Sequence, residues 1–155
     1  MVADFDSYDK KIIDILQRDS SISNIELSKI IGLSPSACLN RTKRLKEEGI
    51  IKHFATIIDE KKVGLEIVVF TFVNLSPHNR NIANAFLETV RETPQILECY
   101  NITGNWDYLL KIVSHDIATY RDFLIDSLLE FPGVSKVETN IILSTNKQNF
   151  YLPID

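Results

Sequence analysis

Gly32-Leu33-Ser34-Pro35 constrains this chain more than any other stretch of it. Glycine ends a helical pattern, serine caps the helix that follows, and proline fits its first position, where a missing amide hydrogen costs nothing. A short turn containing glycine between two helices is the signature of a helix-turn-helix. The helix before the turn opens on a capping box, Ser23-Asn24-Ile25-Glu26, and carries Leu27, Ile30 and Ile31. An earlier helix starts from Asp6 as N-cap, with Asp9 three residues on and Ile12, Ile13, Ile15 and Leu16 behind it. The third helix is expected to run from Pro35 to Gly49.

Placed at 100° steps, Cys38, Thr42 and Leu45 share one line of the third helix, the stripe that packs inward. Ser36, Asn40, Lys43, Arg44 and Glu47 lie on the far side. Short hydroxyl and amide groups near the helix start, with cations further along, suit a DNA major groove: hydrogen-bonding edges for bases and positive charge for phosphates. The expected DNA-binding residues are Ser34, Ser36, Asn40, Arg41, Lys43 and Arg44. Arg41 lies beside the inward stripe and has a competing reading, an ion pair with an acid of a neighbouring helix such as Glu26.

Net charge alone points away from nucleic acid, since the 155 residues sum to -4. Its distribution points back. Residues 1–62 hold 11 Lys+Arg against 10 Asp+Glu, whereas residues 63–155 hold 6 against 11. Four of the six residues at 41–46 are basic, a patch that on its own reads equally as a solvated helix face. The longest nearly unbroken apolar run, residues 67–73, is far short of the roughly 20 residues a membrane span requires. The first six residues do not read as a secretory signal, and two cysteines, Cys38 and Cys99, give no disulfide framework, so a reducing cytoplasm is the expected home.

Beyond residue 49, residues 50–59 alternate weakly and are expected to form a short strand plus linker, with a domain boundary near 59–65. Domains 1–60 and 61–155 follow. In the second, strands are expected at 66–75, 96–103, 107–114 and 134–145, with helices carrying Ala83, Phe86, Leu87 and Val90, then Ile117, Tyr120, Leu124 and Leu128. This βαββαβ order is the ferredoxin-like arrangement, both helices on one face of an antiparallel sheet. Thr93-Pro94-Gln95-Ile96 and Phe131-Pro132-Gly133-Val134 echo each other as proline stops before a strand, as a duplicated half would. The other face of the sheet, carrying Val69, Val73, Tyr100 and Ile102 or their alternates, needs a cover, and a second copy of the chain is the simplest. Such a two-fold dimer would space two reading helices about 34 to 36 Å apart. The fold class is α+β: an N-terminal helix-turn-helix domain followed by a ferredoxin-like domain.

From Phe5 to about Phe150 the chain resembles the Lrp/AsnC family of feast/famine transcriptional regulators. The likeness rests on the opening of the second helix at residues 22–28, on Gly32-Leu33-Ser34-Pro35 with Cys38 and Arg41, and on Gly104-Asn105-Trp106-Asp107-Tyr108-Leu109-Leu110. It implies a DNA-binding helix-turn-helix, possibly winged, an effector domain, dimers that assemble further, often to octamers, and regulation by a small amino acid bound between dimers. It also implies an effector site lined by Gly104, Asn105 and Asp107, with Tyr100, Ser135 and Thr139 as further candidates. Asn105 stands where the family often has an acid, so the effector's identity does not carry over. Chemically, a glycine turn beside Asp107 offers an acceptor for an ammonium and backbone amides for a carboxylate. Without the family, the same residues read as a plain hairpin turn.

No catalytic constellation emerges. His53, His78 and His115 are scattered, Asp107 has no partner acid in its loop, and Gly104 lacks the repeated glycines and following helix of a phosphate cradle. No enzyme, cofactor or metal is expected. The leading expectation is an amino-acid-responsive regulator of double-stranded DNA. Its rival is a small-molecule-binding scaffold with no DNA role; a small ferredoxin-like enzyme is the weakest option.

Overall fold

Each N-terminal helix begins where a side chain can accept an orphan amide. The computed structural model describes residues 5–154 and starts with α1 (Ser7–Arg18), whose N-cap Asp6 accepts from the amides of Tyr8 and Asp9. In α2 (Asn24–Ile31) both halves of the Ser23–Glu26 capping box are formed. Gly32, at φ +77°, ends it in the left-handed conformation that favours glycine. Ser34 then caps α3 (Pro35–Glu47) through the Ala37 amide, and the Asn24 side chain donates to the Pro35 carbonyl at 2.8 Å, tying the starts of the two helices together. Ile12, Ile13, Leu27, Ile31, Cys38 and Leu45 form the core between them, as the apolar periodicity requires.

Residues 50–59 are not a strand. They form no ladder with any described residue, and Phe54, Ile57 and Ile58 stand exposed. Weak alternation does not make a strand without a partner edge to satisfy its amides. A single 3-10 turn, Lys61–Val63, leads into the second unit.

That unit contains β1 (Ile67–Leu75), α4 (Arg80–Glu92), β2 (Ile96–Asn101), β3 (Tyr108–Ser114), α5 (Ile117–Asp126) and β4 (Val134–Ile141). Every pairing is antiparallel and the strand order is β2-β3-β1-β4, the expected ferredoxin-like sheet. The last strand stops at Ile141 rather than near residue 145, because its ladder partner β1 begins at Ile67. Leu128, expected on the second helix, falls in a 3-10 turn after α5.

Strand alternation sends Val69, Thr71, Val73 and Leu75 towards the helices, where they meet Phe86, Val90, Leu110, Ile112 and Leu128. Val69 and Val73 are therefore completely buried, which decides between the two sets of residues that the sequence left open for the uncovered face. The uncovered face carries their alternates, Val68, Phe70 and Phe72, with Leu109 and Tyr100 beside Phe72 in register. Inside the helix-covered face, the Tyr120 hydroxyl bridges Thr71 at 2.9 Å and Thr139 at 2.5 Å. Gly133, at φ +75°, lets the start of β4 run against α4: a Cβ there would stand 2.1 Å from Ile82 Cγ2.

The chain divides into two compact units, 1–57 with 147–155, and 58–146. The tail, expected within the second domain, instead packs on α1. Its apolar Ile154 joins the first core, and Gln17 exchanges two hydrogen bonds with the Leu152 backbone at 2.7 and 3.1 Å. Tyr151 donates to Asp14 while Arg18 lies 4.5 Å over its ring.

Candidate functional site

Two sites emerge, one in each unit. The first is the outer face of α3. Cys38 and Leu45 are fully buried, which fixes the roll of the helix and leaves Ser36, Asn40 and Lys43 exposed on the opposite side. Ser34 and Ser36 share a hydroxyl contact of 3.2 Å at the helix start. Among the described residues Lys43 reaches only Glu47, one turn on, at 3.6 Å, and it remains largely in solvent. Leu39, 55% exposed beside Asn40, is a residue the sequence reading passed over; an apolar side chain exposed next to Asn40 can meet a thymine methyl.

The arginines of α3 are placed differently. Arg41 donates to Asp6 at 2.7 Å and to Asp9 at 2.9 Å, while Arg44 donates to the second oxygen of Asp9 at 2.5 Å. Asp9 itself is 1% exposed. The acid that takes Arg41 is thus on α1, not Glu26, which is held in its capping box with Ser23. Capping also holds the Asp6 carboxyl below its ordinary value near 3.8, chiefly through the Asp9 amide and then through Arg41. Lys46 is drawn to the ring of Phe54 at 5.1 Å.

The second site is built on the turn between β2 and β3. Gly104, at φ +113°, allows the turn, and Asn105 offers its carbonyl to the Asn74 side chain at 3.0 Å. Asn74 also accepts from the Asp107 amide at 2.9 Å, so β1 holds the loop from both sides. One oxygen of the Asp107 carboxylate accepts from the Leu75 amide at 2.8 Å, with His78 Nε2 at 3.7 Å. The carboxylate borders an open cleft of about 380 Å³. His78, Asn79, Arg80 and Asn101 supply its other polar groups, and Leu75, Pro77, Ala83 and Tyr108 its apolar wall.

Of the expected effector residues only Asp107 lines this cleft within one protomer; Gly104 and Asn105 lie in the adjoining turn, and the others stand elsewhere. Tyr100 lies on the uncovered sheet face and donates to Glu98 at 2.6 Å, a bond that raises its own pKa and lowers that of Glu98. Ser135 donates to the Asn74 carbonyl at 3.0 Å, and Thr139 is engaged by Tyr120. Neighbouring Trp106 turns to the uncovered face, 5.9 Å from the Phe72 ring and 4.7 Å from Lys136 Nζ. His78, Asn79 and Arg80 escaped sequence reasoning because about 30 residues separate them from Asp107. Only the pairing of β1 with β3 closes that gap.

The two halves match known domains separately. Residues 5–52 match the winged helix-turn-helix DNA-binding family and residues 68–152 the Lrp/AsnC ligand binding domain. Transcriptional regulator AzlB of Bacillus subtilis is 55% identical over 150 residues, covering 97% of this chain and 96% of that protein. The leucine-responsive regulatory protein of Escherichia coli is 35% identical over 151 residues, covering 97% and 92%. Among solved structures, a transcriptional regulator of Neisseria meningitidis in complex with L-methionine superposes with a TM-score of 0.92 at 33% identity, over 97% of both chains. With both halves matched in this order over nearly the full length, the chain belongs to the Lrp/AsnC family of transcriptional regulators.

Proposed function

We propose that this regulator works in the cytoplasm, lays α3 in the major groove of double-stranded DNA, and answers to a small amino acid held at the 104–107 loop. The observation that carries the reading is the outer face of α3, where Ser36, Asn40 and Lys43 are exposed opposite a buried Cys38 and Leu45. Ser34, Ser36 and Asn40 approach bases and sugars, and Lys43 a phosphate. Arg41 and Arg44 contribute mainly by holding α3 to α1 through Asp9. Glycine-turn geometry and the half-engaged Asp107 suit an ammonium group, and the apolar wall of the cleft suits an aliphatic side chain. The methionine bound by the Neisseria regulator and the leucine in the name of the Escherichia coli relative are of that kind.

A second copy covers Val68, Phe70 and Phe72, giving a two-fold dimer, and dimers assemble further to an octamer in which Ser135 of another copy completes the site, Thr139 being held by Tyr120 within its own protomer. No catalytic step is assigned. The test is retention of the full chain on operator DNA across a salt series, with a light-scattering mass and a thermal scan against each common amino acid. Binding that weakens with rising salt, a mass of several dimers and one raised midpoint support the reading. Indifference to DNA at low salt favours the rival, a small-molecule-binding scaffold.

A further inference from the structure

Resting on the reading of an amino-acid effector, we infer that Arg80 recognises the effector's carboxylate across the cleft from Asp107, so that the site selects a free α-amino acid over its amide or amine.

Arg80 differs from the arginines paired elsewhere in the chain. Arg18, Arg41, Arg44 and Arg121 each face an aspartate within 3.3 Å. The Arg80 side chain makes no hydrogen bond or ion pair with any described residue, yet Arg80 lines the same cleft as Asp107. A guanidinium presents a fork of donors that matches a carboxylate in bidentate fashion. Arg80 is also the first residue of α4, a helix of 13 residues whose N-cap Asn79 takes only the Ile82 amide. The amides of Arg80 and Asn81 are left at that end, where the helix dipole favours an anion.

Asp107 complements this. Oδ2 is occupied by the Leu75 amide, while Oδ1 has no hydrogen-bond partner among the described residues. The side chain keeps 26% of its surface open. A cation and a half-engaged carboxylate line one cleft together with the apolar Leu75 and Tyr108, a lining that offers opposite charges to the two ends of a zwitterion. An amine or a carboxamide would satisfy Asp107 and leave Arg80 without its anion.

The experiment titrates the full-length protein with each of the twenty common L-amino acids, and with the carboxamide of any that binds, following Trp106 fluorescence and the thermal midpoint. Wild type, Arg80→Gln and Arg80→Lys are compared. Arg80→Gln is expected to weaken the free amino acid at least tenfold without changing affinity for the carboxamide, and Arg80→Lys to recover part of the loss. A carboxamide too weak to measure on wild type, together with the tenfold loss, supports the assignment equally. Amino-acid binding unchanged within twofold in Arg80→Gln overturns the assignment and leaves the effector reading standing. Equal loss of acid and carboxamide also overturns it, since Arg80 would then act through the fold. Wild type that binds no amino acid overturns both.

Discussion

Asp9 on α1 and Arg44 on α3 meet at 2.5 Å, the aspartate 1% exposed and the arginine 46%. The second oxygen of Asp9 holds Arg41, so one buried carboxylate clasps two cations of the proposed reading helix. A charge buried this far is stable only while paired. The basic run at 41–46 therefore splits by role: Lys43 points to solvent, while Arg41 and Arg44 are turned towards the domain's own acids. Lys43→Ala should lower the slope of log affinity against log salt by about one and leave the thermal midpoint within a degree or two. Asp9→Asn should instead destabilise the domain by about 2 kcal/mol, since it removes a two-armed acceptor from between the helices. Salt-dependent DNA titrations and thermal unfolding of the two variants check the division; an unchanged slope in Lys43→Ala removes that residue from the phosphate contacts.

The Tyr120 hydroxyl sits between two threonines, one of them, Thr71, fully buried. Tyr120→Phe keeps the ring's packing but strands the Thr71 hydroxyl away from water. An unsatisfied buried hydroxyl costs about 1–3 kcal/mol. Chemical denaturation should show a loss of that size with an unchanged m-value, because the surface exposed on unfolding stays the same.

Gly133 permits the start of β4 to pass α4 at a distance no side chain would allow. Gly133→Ala meets both a clash with Ile82 and a backbone at φ +75° that L-residues rarely adopt, so a loss of about 2–4 kcal/mol is expected. The clash can be separated from the backbone strain. Adding Ile82→Ala should recover part of the loss by opening space beside Gly133, and the strain at φ +75° should remain.

How much of this was written in the sequence varies with the range of the interaction. Caps are local, so Asp6, Ser23 and Ser34 open helices where their spacing said they would, and Pro35 falls at the first position of α3. Strand order was equally legible, because the echo between Thr93-Pro94 and Phe131-Pro132 marks two similar halves. Face assignment was not: period-2 alternation tells which residues share a face, and one register step decides which face is covered, which is why Val69 and Val73 or their alternates stayed open as the uncovered set. The pairing of Arg41 with α1 rather than with Glu26 depends on how three helices cross, and the Arg80–Asp107 cleft on a strand pairing about 30 residues apart. The tail was least legible of all, since a polar run with three late apolar residues becomes structure only when Gln17 and Asp14 supply partners.

Acid should expose how the first unit is held. In addition to Asp6, the Asp14 carboxyl lies below its ordinary value, chiefly through the bond from Tyr151 and then through Arg18, and Glu26 is lowered chiefly by the Ser23 hydroxyl. A carboxyl whose pKa is lowered on folding stabilises the native state above its unfolded value, near 3.8 for Asp14 and 4.5 for Glu26. That stability is lost as pH falls through the folded value, because below it the carboxyl is protonated in the native state and the unfolded chain alike. Tyr151→Phe removes the largest cause at Asp14, so its folded pKa should rise towards the ordinary value. The variant's midpoint should then be lower than wild type at pH 7, and the gap should close as pH falls below 3.8 through the lowered folded value. Thermal scans from pH 7 to pH 3 test this; a gap that stays constant across the range would mean that the Tyr151 hydroxyl stabilises the tail without favouring the ionised Asp14, and the absence of any gap that the ring, packed under Arg18, acts without its hydroxyl.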